Sequence, residues 1–137
     1  MNLTDAGPIV AILDKGQTQH RQCVKAYRQI GSPLITTWPC FTEAMYLLSE
    51  LRGWSGQQKL WQLWDRKLLL IHEATSTEQE RMKVLMEKYQ DTPMDLADAS
   101  IVAAAERLKL NRVFTIDSDF YVYRINDRDA FEVIPSS

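Results

Sequence analysis

Short apolar runs alternate along this chain with longer stretches of helical spacing, which predicts strands separated by helices. Asn2–Thr4, Leu34–Trp38 (LITTW), Lys67–Glu73 (KLLLIHE), Arg112–Ile116 (RVFTI) and Phe131–Ile134 (FEVI) read as strands. Gly7–Leu13 reads as a brief helix, and Thr18–Ile30 as a longer one with an apolar stripe of Cys23, Tyr27 and Ile30. Gly31-Ser32-Pro33 breaks it. Pro39 suits the first turn of a helix running to about Arg52, because proline's missing N–H costs nothing there. Gly53 and Gly56 punctuate before a helix over about Gln57–Arg66. Ser76 or Thr77 is placed to cap a helix Glu78–Gln90, since Thr77 and Glu80 have capping-box spacing, and Asp91-Thr92-Pro93 ends it. Asp95–Leu108 is Ala-rich and apolar almost all round, the pattern of a buried helix. Strands of this length alternating with helices imply βαβ units, a mostly parallel sheet and the α/β class.

Composition narrows this picture. With 137 residues, 45 % apolar and 25 % charged, the chain has the balance of a globular protein, and a single domain is expected over 1–137. A disordered tail, a collagen-like repeat and a coiled-coil rod are excluded. Cys23 and Cys40 lack metal-ligand spacing and read as buried thiols of a reducing compartment. The N-terminal stretch has no basic n-region, and no run approaches the roughly 18 apolar residues of a membrane helix, so a cytoplasmic location is expected. The formal net charge of −2 argues against a general phosphate-backbone binder. It leaves open a nucleic-acid enzyme whose positive charge comes from a metal.

The acids fall where chemistry is expected. Sites in open parallel sheets lie outside the carboxyl ends of the strands. Asp5 follows the first strand, Glu43 follows LITTW by about a helical turn, and Asp117 and Asp119 follow RVFTI. Asp98 stands inside the apolar helix, with Asp95 three residues earlier on the same face. A carboxylate there is costly unless paired, hydrogen-bonded or bound to a cation. Four or five carboxylates without His or Cys suit a hard cation, Mg²⁺ or Mn²⁺, and thereby chemistry at phosphate. Each acid also has an ordinary reading. Asp5 suits an N-cap, Glu43 gains from the helix dipole, Asp117-Ser118-Asp119 is turn chemistry, and Asp95 is a first-turn helix residue. Only Asp98 is left without a cap to explain it.

DAGPIVAILD, ITTWPCFTEAMYLL, MDLADASIVAAAE and VFTIDSDF, in that order, resemble the four motifs of PIN-domain proteins, and in particular those of the VapC-type toxin ribonucleases. The resemblance spans Leu3 to Phe120. It implies a three-layer α/β/α sandwich with a mostly parallel central sheet of four to five strands. It also implies Mg²⁺- or Mn²⁺-dependent cleavage of RNA by metal-activated water. By the same resemblance Asp5, Glu43, Asp98 and Asp117 are the metal-holding, catalytic acids. Thr115 matches the family's hydroxyl position, and Asp95 and Asp119 are auxiliary. The implied partners are an RNA substrate, an antitoxin protein and a second copy of the chain.

Other features admit milder readings. Trp54, Leu60, Trp61, Leu63, Trp64 and Leu68 form a tryptophan-heavy stretch. Most of it is expected in the core, with part, together with Tyr46 and Leu47, facing a partner. Arg21, Lys25 and Arg28 line one helix side and Arg52, Lys59, Arg66 and Lys67 are scattered, placed to steer phosphates but commonly just a solvated face. His20 and His72 read as structural. Two competing functions remain: a binding or scaffold module that keeps the acids without useful catalysis, and another Mg²⁺-dependent phosphoesterase such as a small phosphatase. The latter would need an early DxD motif, whereas Ala6-Gly7 follows Asp5.

Overall fold

The five expected strands form, four of them shortened at their ends, in a computed structural model that describes residues 1–136. They are β1 (Asn2–Thr4), β2 (Leu34–Thr37), β3 (Leu69–His72), β4 (Arg112–Phe114) and, last in the chain, β7 (Glu132–Ile134). The helices are α1 (Ala6–Leu13), α2 (His20–Ile30), α3 (Trp38–Asp65), α4 (Ser76–Lys88) and α5 (Leu96–Leu108). Capping sets several of these boundaries. Thr37 ends β2 because its hydroxyl accepts from Cys40 N at 3.4 Å, which starts α3 at Trp38. Thr75 does the same for α4, accepting from Glu78 N at 3.2 Å. The expected caps Ser76 and Thr77 are therefore already inside the helix, and no Thr77–Glu80 box forms.

The central sheet has the order β3-β2-β1-β4-β7, and every pairing in it is parallel. From β1 the chain steps outward through β2 to β3, then returns to place β4 on β1's other side. The order thus reverses between β1 and β4, the position at which an open sheet leaves a crevice. A separate antiparallel ribbon, β5 (Arg124–Ile125) with β6 (Asp129–Ala130), escapes the sequence pattern. Two-residue strands show no period, and the signal lies in Asn126 and Asp127, both at positive φ in the connecting turn.

Helices cover both faces, giving the three-layer sandwich. Under α4 and α5, Leu3, Val113 and Val133 meet Met82, Leu85, Ile101 and Val102. Under α1, α2 and α3, Leu34, Leu69 and Phe114 meet Ile9, Phe41, Leu48 and Leu60. Val113 and Phe114 are adjacent yet serve opposite cores, because successive strand side chains alternate. Each fully buried Leu, Ile, Val or Phe contributes about 1.5–3 kcal/mol. Cys23 and Cys40 sit in these cores as free thiols, and burial pushes them up to about 11 and about 12 respectively.

α3 is two helical segments joined at Gly53, whose φ of 59° and ψ of −147° only glycine adopts readily. The second expected break does not occur. Gly56 is helical and buried, and a Cβ there would lie 2.8 Å from Leu48 O. Its hydrogen is what lets the second segment fold back against the first and bury Leu60. Gly56→Ala is expected to destabilise the protein by about 1–3 kcal/mol through overpacking. Urea unfolding should show a lower midpoint with an unchanged slope; an unchanged midpoint would contradict this account of the kink.

Candidate metal centre

Four segments deliver the carboxylates to the crevice at the strand-order reversal. Asp5 comes directly off β1, and Asp117 three residues beyond β4. Glu43 lies in the second turn of α3, and Asp98 in the first turn of α5. Together with Asp95 they line a cleft of about 160 Å³. Asp119 stands outside its lining, in a 3₁₀ turn (Ser118–Tyr121) that Asp117 caps by accepting from Asp119 N at 2.9 Å. Among the described residues, no three of these acids converge tightly enough to enclose an ion as they stand.

Asp5 settles its own ordinary reading. It occupies the N-cap position of α1, but its side chain makes no capping bond. Thr115 Oγ1 donates to its Oδ2 at 2.6 Å, while its Oδ1 is buried with no hydrogen-bond partner. Burial is the main reason that its pKa rises to about 7, with the charges of Asp98, Asp117 and Glu43 adding to it. Thr115 links two of the acids, because the same hydroxyl accepts from Asp117 N at 3.0 Å.

Asp98 corrects an expectation. α5 begins at Leu96, so Asp98 is its third residue and belongs to a capping box. Asp95 accepts from Asp98 N at 2.8 Å, and Asp98 Oδ2 accepts from Asp95 N at 3.2 Å. A cap therefore does account for its placement. It does not neutralise the charge: burial, then the neighbouring Asp95, raise Asp98 to about 7. Tyr123, which sequence reasoning missed, is fully buried and donates its hydroxyl to Asp98 Oδ2 at 3.2 Å. No spacing rule links residues 25 apart across a 3₁₀ turn. Glu43 is exposed at the rim, and burial with the charges of Asp95 and Asp117 raises its pKa.

Asp14 provides the contrast. Like Asp98 it has little exposed surface, yet it accepts from Gly16 N, Gln17 Nε2 and Arg52 Nε at 2.9–3.1 Å, and its pKa falls to about 2. That is a structural carboxylate. In the cleft Asp5 has an orphaned oxygen, Asp5, Asp98 and Glu43 have raised pKa values, and among the described residues no lysine or arginine joins the lining, which fits an all-oxygen site for a hard divalent cation. The histidines take no part: His20 Nδ1 meets Ala11 O at 2.6 Å and His72 Nε2 meets Glu78 at 2.8 Å. The tryptophan stretch divides. Leu60 is wholly buried, whereas Trp54, Trp61 and Trp64 are exposed, as is Tyr46.

Three comparisons bear on this arrangement. A family model described as PIN domain matches residues 3–126. No curated protein matches the sequence. Among solved structures, the fold is similar to Mycobacterium tuberculosis VapC20, described as a sarcin-ricin loop cleaving toxin. The TM-score is 0.82 at 14 % identity, over 89 % of this chain and 94 % of that one. It is also similar to a toxin-antitoxin complex from Klebsiella pneumoniae (TM-score 0.67, 20 % identity, 88 % and 90 % covered). VapBC2 from Rickettsia felis bound to a promoter DNA fragment matches at TM-score 0.67 and 11 % identity, over 96 % and 97 %.

Asp5 and Asp98 make stability depend on pH in an unusual direction. Their folded pKa of about 7 exceeds the ordinary 3.8, so between those values the folded state holds protons that the unfolded chain has lost. Stability from these groups is therefore full at low pH and falls as pH rises through 7. Without divalent cations, Tm should be lower at pH 8 than at pH 5.5. Adding Mn²⁺ should raise Tm more at pH 8, where the acids are ionised. A Tm that does not respond to Mn²⁺ at pH 8 would rule against a metal centre.

Proposed function

Because the chain belongs to the PIN-domain family, we propose that it is a Mg²⁺- or Mn²⁺-dependent endoribonuclease, the toxin half of a toxin–antitoxin pair. The observation that carries this reading is the buried, unpartnered Oδ1 of Asp5 in a cleft shared with Asp98, Asp117 and Glu43. A fold stabilised by a few kcal/mol does not retain such an atom for packing alone. Asp5, Glu43, Asp98 and Asp117 would hold the cation, with Asp95 and Asp119 auxiliary. The chemistry that a bound divalent cation supplies is neutralisation of phosphate charge and acidification of water.

The chain's own groups prepare the cleft for that task. Thr115 fixes Asp5 Oδ2 and the backbone of Asp117 through one hydroxyl, so the two acids on either side of the reversal keep a set separation. Asp95 N and Tyr123 both donate to Asp98 Oδ2 and hold that carboxylate in one rotamer. Glu43, exposed on the rim, faces the entering strand. Arg21, Lys25 and Arg28 stand along α2 and offer phosphates a cationic approach outside the cleft. No side-chain nucleophile is needed.

The antitoxin and a second copy of the chain are proposed to cover the aromatic surface of α3. Phe41, Trp61 and Trp64 form a chain of edge-on ring contacts at 5.2 and 5.6 Å that ends at the surface. Rigid exposed tryptophans of this kind are characteristic of binding faces. The similar Klebsiella and Rickettsia structures, described as a toxin-antitoxin complex and as VapBC2, support a protein partner.

Cleavage of single-stranded RNA with Mg²⁺ or Mn²⁺ tests the reading. Asp98→Asn and Asp5→Asn should each lose about a hundredfold or more in rate, beyond the 10–100-fold typical of outer-shell changes such as Thr115→Ala. Asp5→Asn should also raise the Tm of the metal-free protein at pH 8, because it removes a buried charge. Wild-type protein that cleaves nothing would leave a binding module; variants that cleave as wild type would relocate the site.

A further inference from the structure

A second and larger cavity, about 580 Å³, opens beyond the carboxyl end of β3, between the start of α3, α4 and the first turn of α5. Its size and its largely apolar walls with a few polar groups are those of a small-molecule site. Trp38 and Leu96 stand on its wall, 43 % and 53 % exposed, with Met82 buried behind them. The same Trp38 and Leu96 line a surface that runs on to Glu43 and Asp95. The cavity therefore continues directly into the carboxylate cleft.

The polar groups in the cavity are specific. Glu78 is buried, and both its oxygens accept from His72 Nε2, at 3.0 and 2.8 Å. Thr37 and Ser100 are committed elsewhere, bonded to each other at 2.6 Å, with Ser100 also donating to Ala97 O at 2.6 Å. What remains available to a ligand is the flat face of an indole, carboxylate oxygens from Glu78 inside and Glu73 at the mouth, and the exposed Gln79 amide and Lys83 ammonium of α4. The carboxylates favour N–H donors, while Gln79 and Lys83 can donate to a carbonyl oxygen on the same ligand edge. A nucleobase meets both conditions: it has a π-face to stack and an edge that donates.

We propose that this cavity holds an unstacked nucleobase of the RNA strand, next to the phosphate in the carboxylate cleft, stacked on Trp38 with its edge toward the His72–Glu78 pair. The proposal rests on the ribonuclease reading above. It makes the cavity a specificity pocket. Guanine and cytosine present exocyclic amino groups to a carboxylate, and guanine adds a ring N–H beside its own; uracil has no amino group. Bases with amino groups are therefore preferred over uracil at the position adjoining the cut.

The test separates binding from cleavage. Guanosine, cytidine and uridine 5′-monophosphates are titrated into the protein in EDTA while the indole N–H resonances are followed by NMR, that of Trp38 being assigned with Trp38→Phe. Guanosine and cytidine monophosphates should shift the Trp38 resonance saturably, uridine monophosphate weakly, and Trp54 should not move. In cleavage with Mn²⁺, Trp38→Ala should lose about 5- to 100-fold, the equivalent of one base–aromatic stack, and Trp38→Phe should recover most of it. No saturable shift at Trp38 with any nucleotide, or equal shifts with uridine, overturns the pocket and leaves the cavity to a protein segment. Absence of RNA cleavage by the wild type overturns the ribonuclease reading instead, and does so independently of the Trp38 titration.

Discussion

The carboxylate of Asp5 is where the demands of this fold conflict. It leaves β1 at the reversal of strand order, the central position of the sheet, so the backbone that buries Leu3 and Thr4 also carries the acid into the interior. One oxygen is satisfied by Thr115 across the β1–β4 pairing, and the other has no partner. Everything around that oxygen limits its relief. Asp98 and Asp117 add negative charge, and among the described residues no lysine or arginine lines the cleft. The surrounding packing must hold a group that would be more comfortable in water.

The packing does so through two independent cores. The α4/α5 face fixes α5, and hence Asp95 and Asp98, while the α1/α2/α3 face fixes the start of α3, and hence Glu43. The one core residue bonded to these acids is Tyr123, through its hydroxyl to Asp98, among the described residues. Each core positions a helix whose first turns point at the cleft, where the positive end of the helix dipole offsets part of the cost of the acids. Asp14 shows the alternative this chain uses when a buried carboxylate is only structural: three donors, one of them Arg52. The two treatments of the same residue type, within one small sheet protein, separate an acid that builds the fold from acids that the fold must tolerate.

Around the cleft, aromatic residues divide by depth. Phe120 and Tyr123 are fully buried beneath it, with ring centroids 5.1 Å apart, and Tyr123 turns its hydroxyl to Asp98. Trp38 stands at the mouth, in edge contact with Phe41 at 5.7 Å, and continues through Phe41 to Trp61 and Trp64 on the outer face. The kink at Gly53, made possible by the close packing of Gly56, brings the Trp61 segment back to Phe41. A backbone device in α3 thus connects the cleft's rim to the exposed aromatic surface.

Much of this was legible in the chain itself. Alternation of apolar runs with helical stretches placed all five strands of the parallel sheet, because burial on both faces demands continuous apolar strands whatever the neighbours are. The positional rule for open sheets put Asp5, Glu43, Asp117 and Asp119 near strand ends, while Asp98 stood out as a carboxylate inside an apolar helix. What failed was local: the cap of α4 fell to Thr75, Gly56 proved a packing residue, and the two-residue strands β5 and β6 carried no period. Asp98 looked inexplicable within its helix because the capping box depends on where the helix begins, and tertiary contacts decide that. Only the folded chain could decide which oxygen of Asp5 goes unsatisfied, that Tyr123 reaches Asp98, and that Trp38 and His72–Glu78 share a cavity. Those facts depend on side chains distant in sequence meeting at fixed distances. Sequence periodicity reports which way each residue faces, whereas the distances across the cleft are set by how the two cores stack the helices against the sheet.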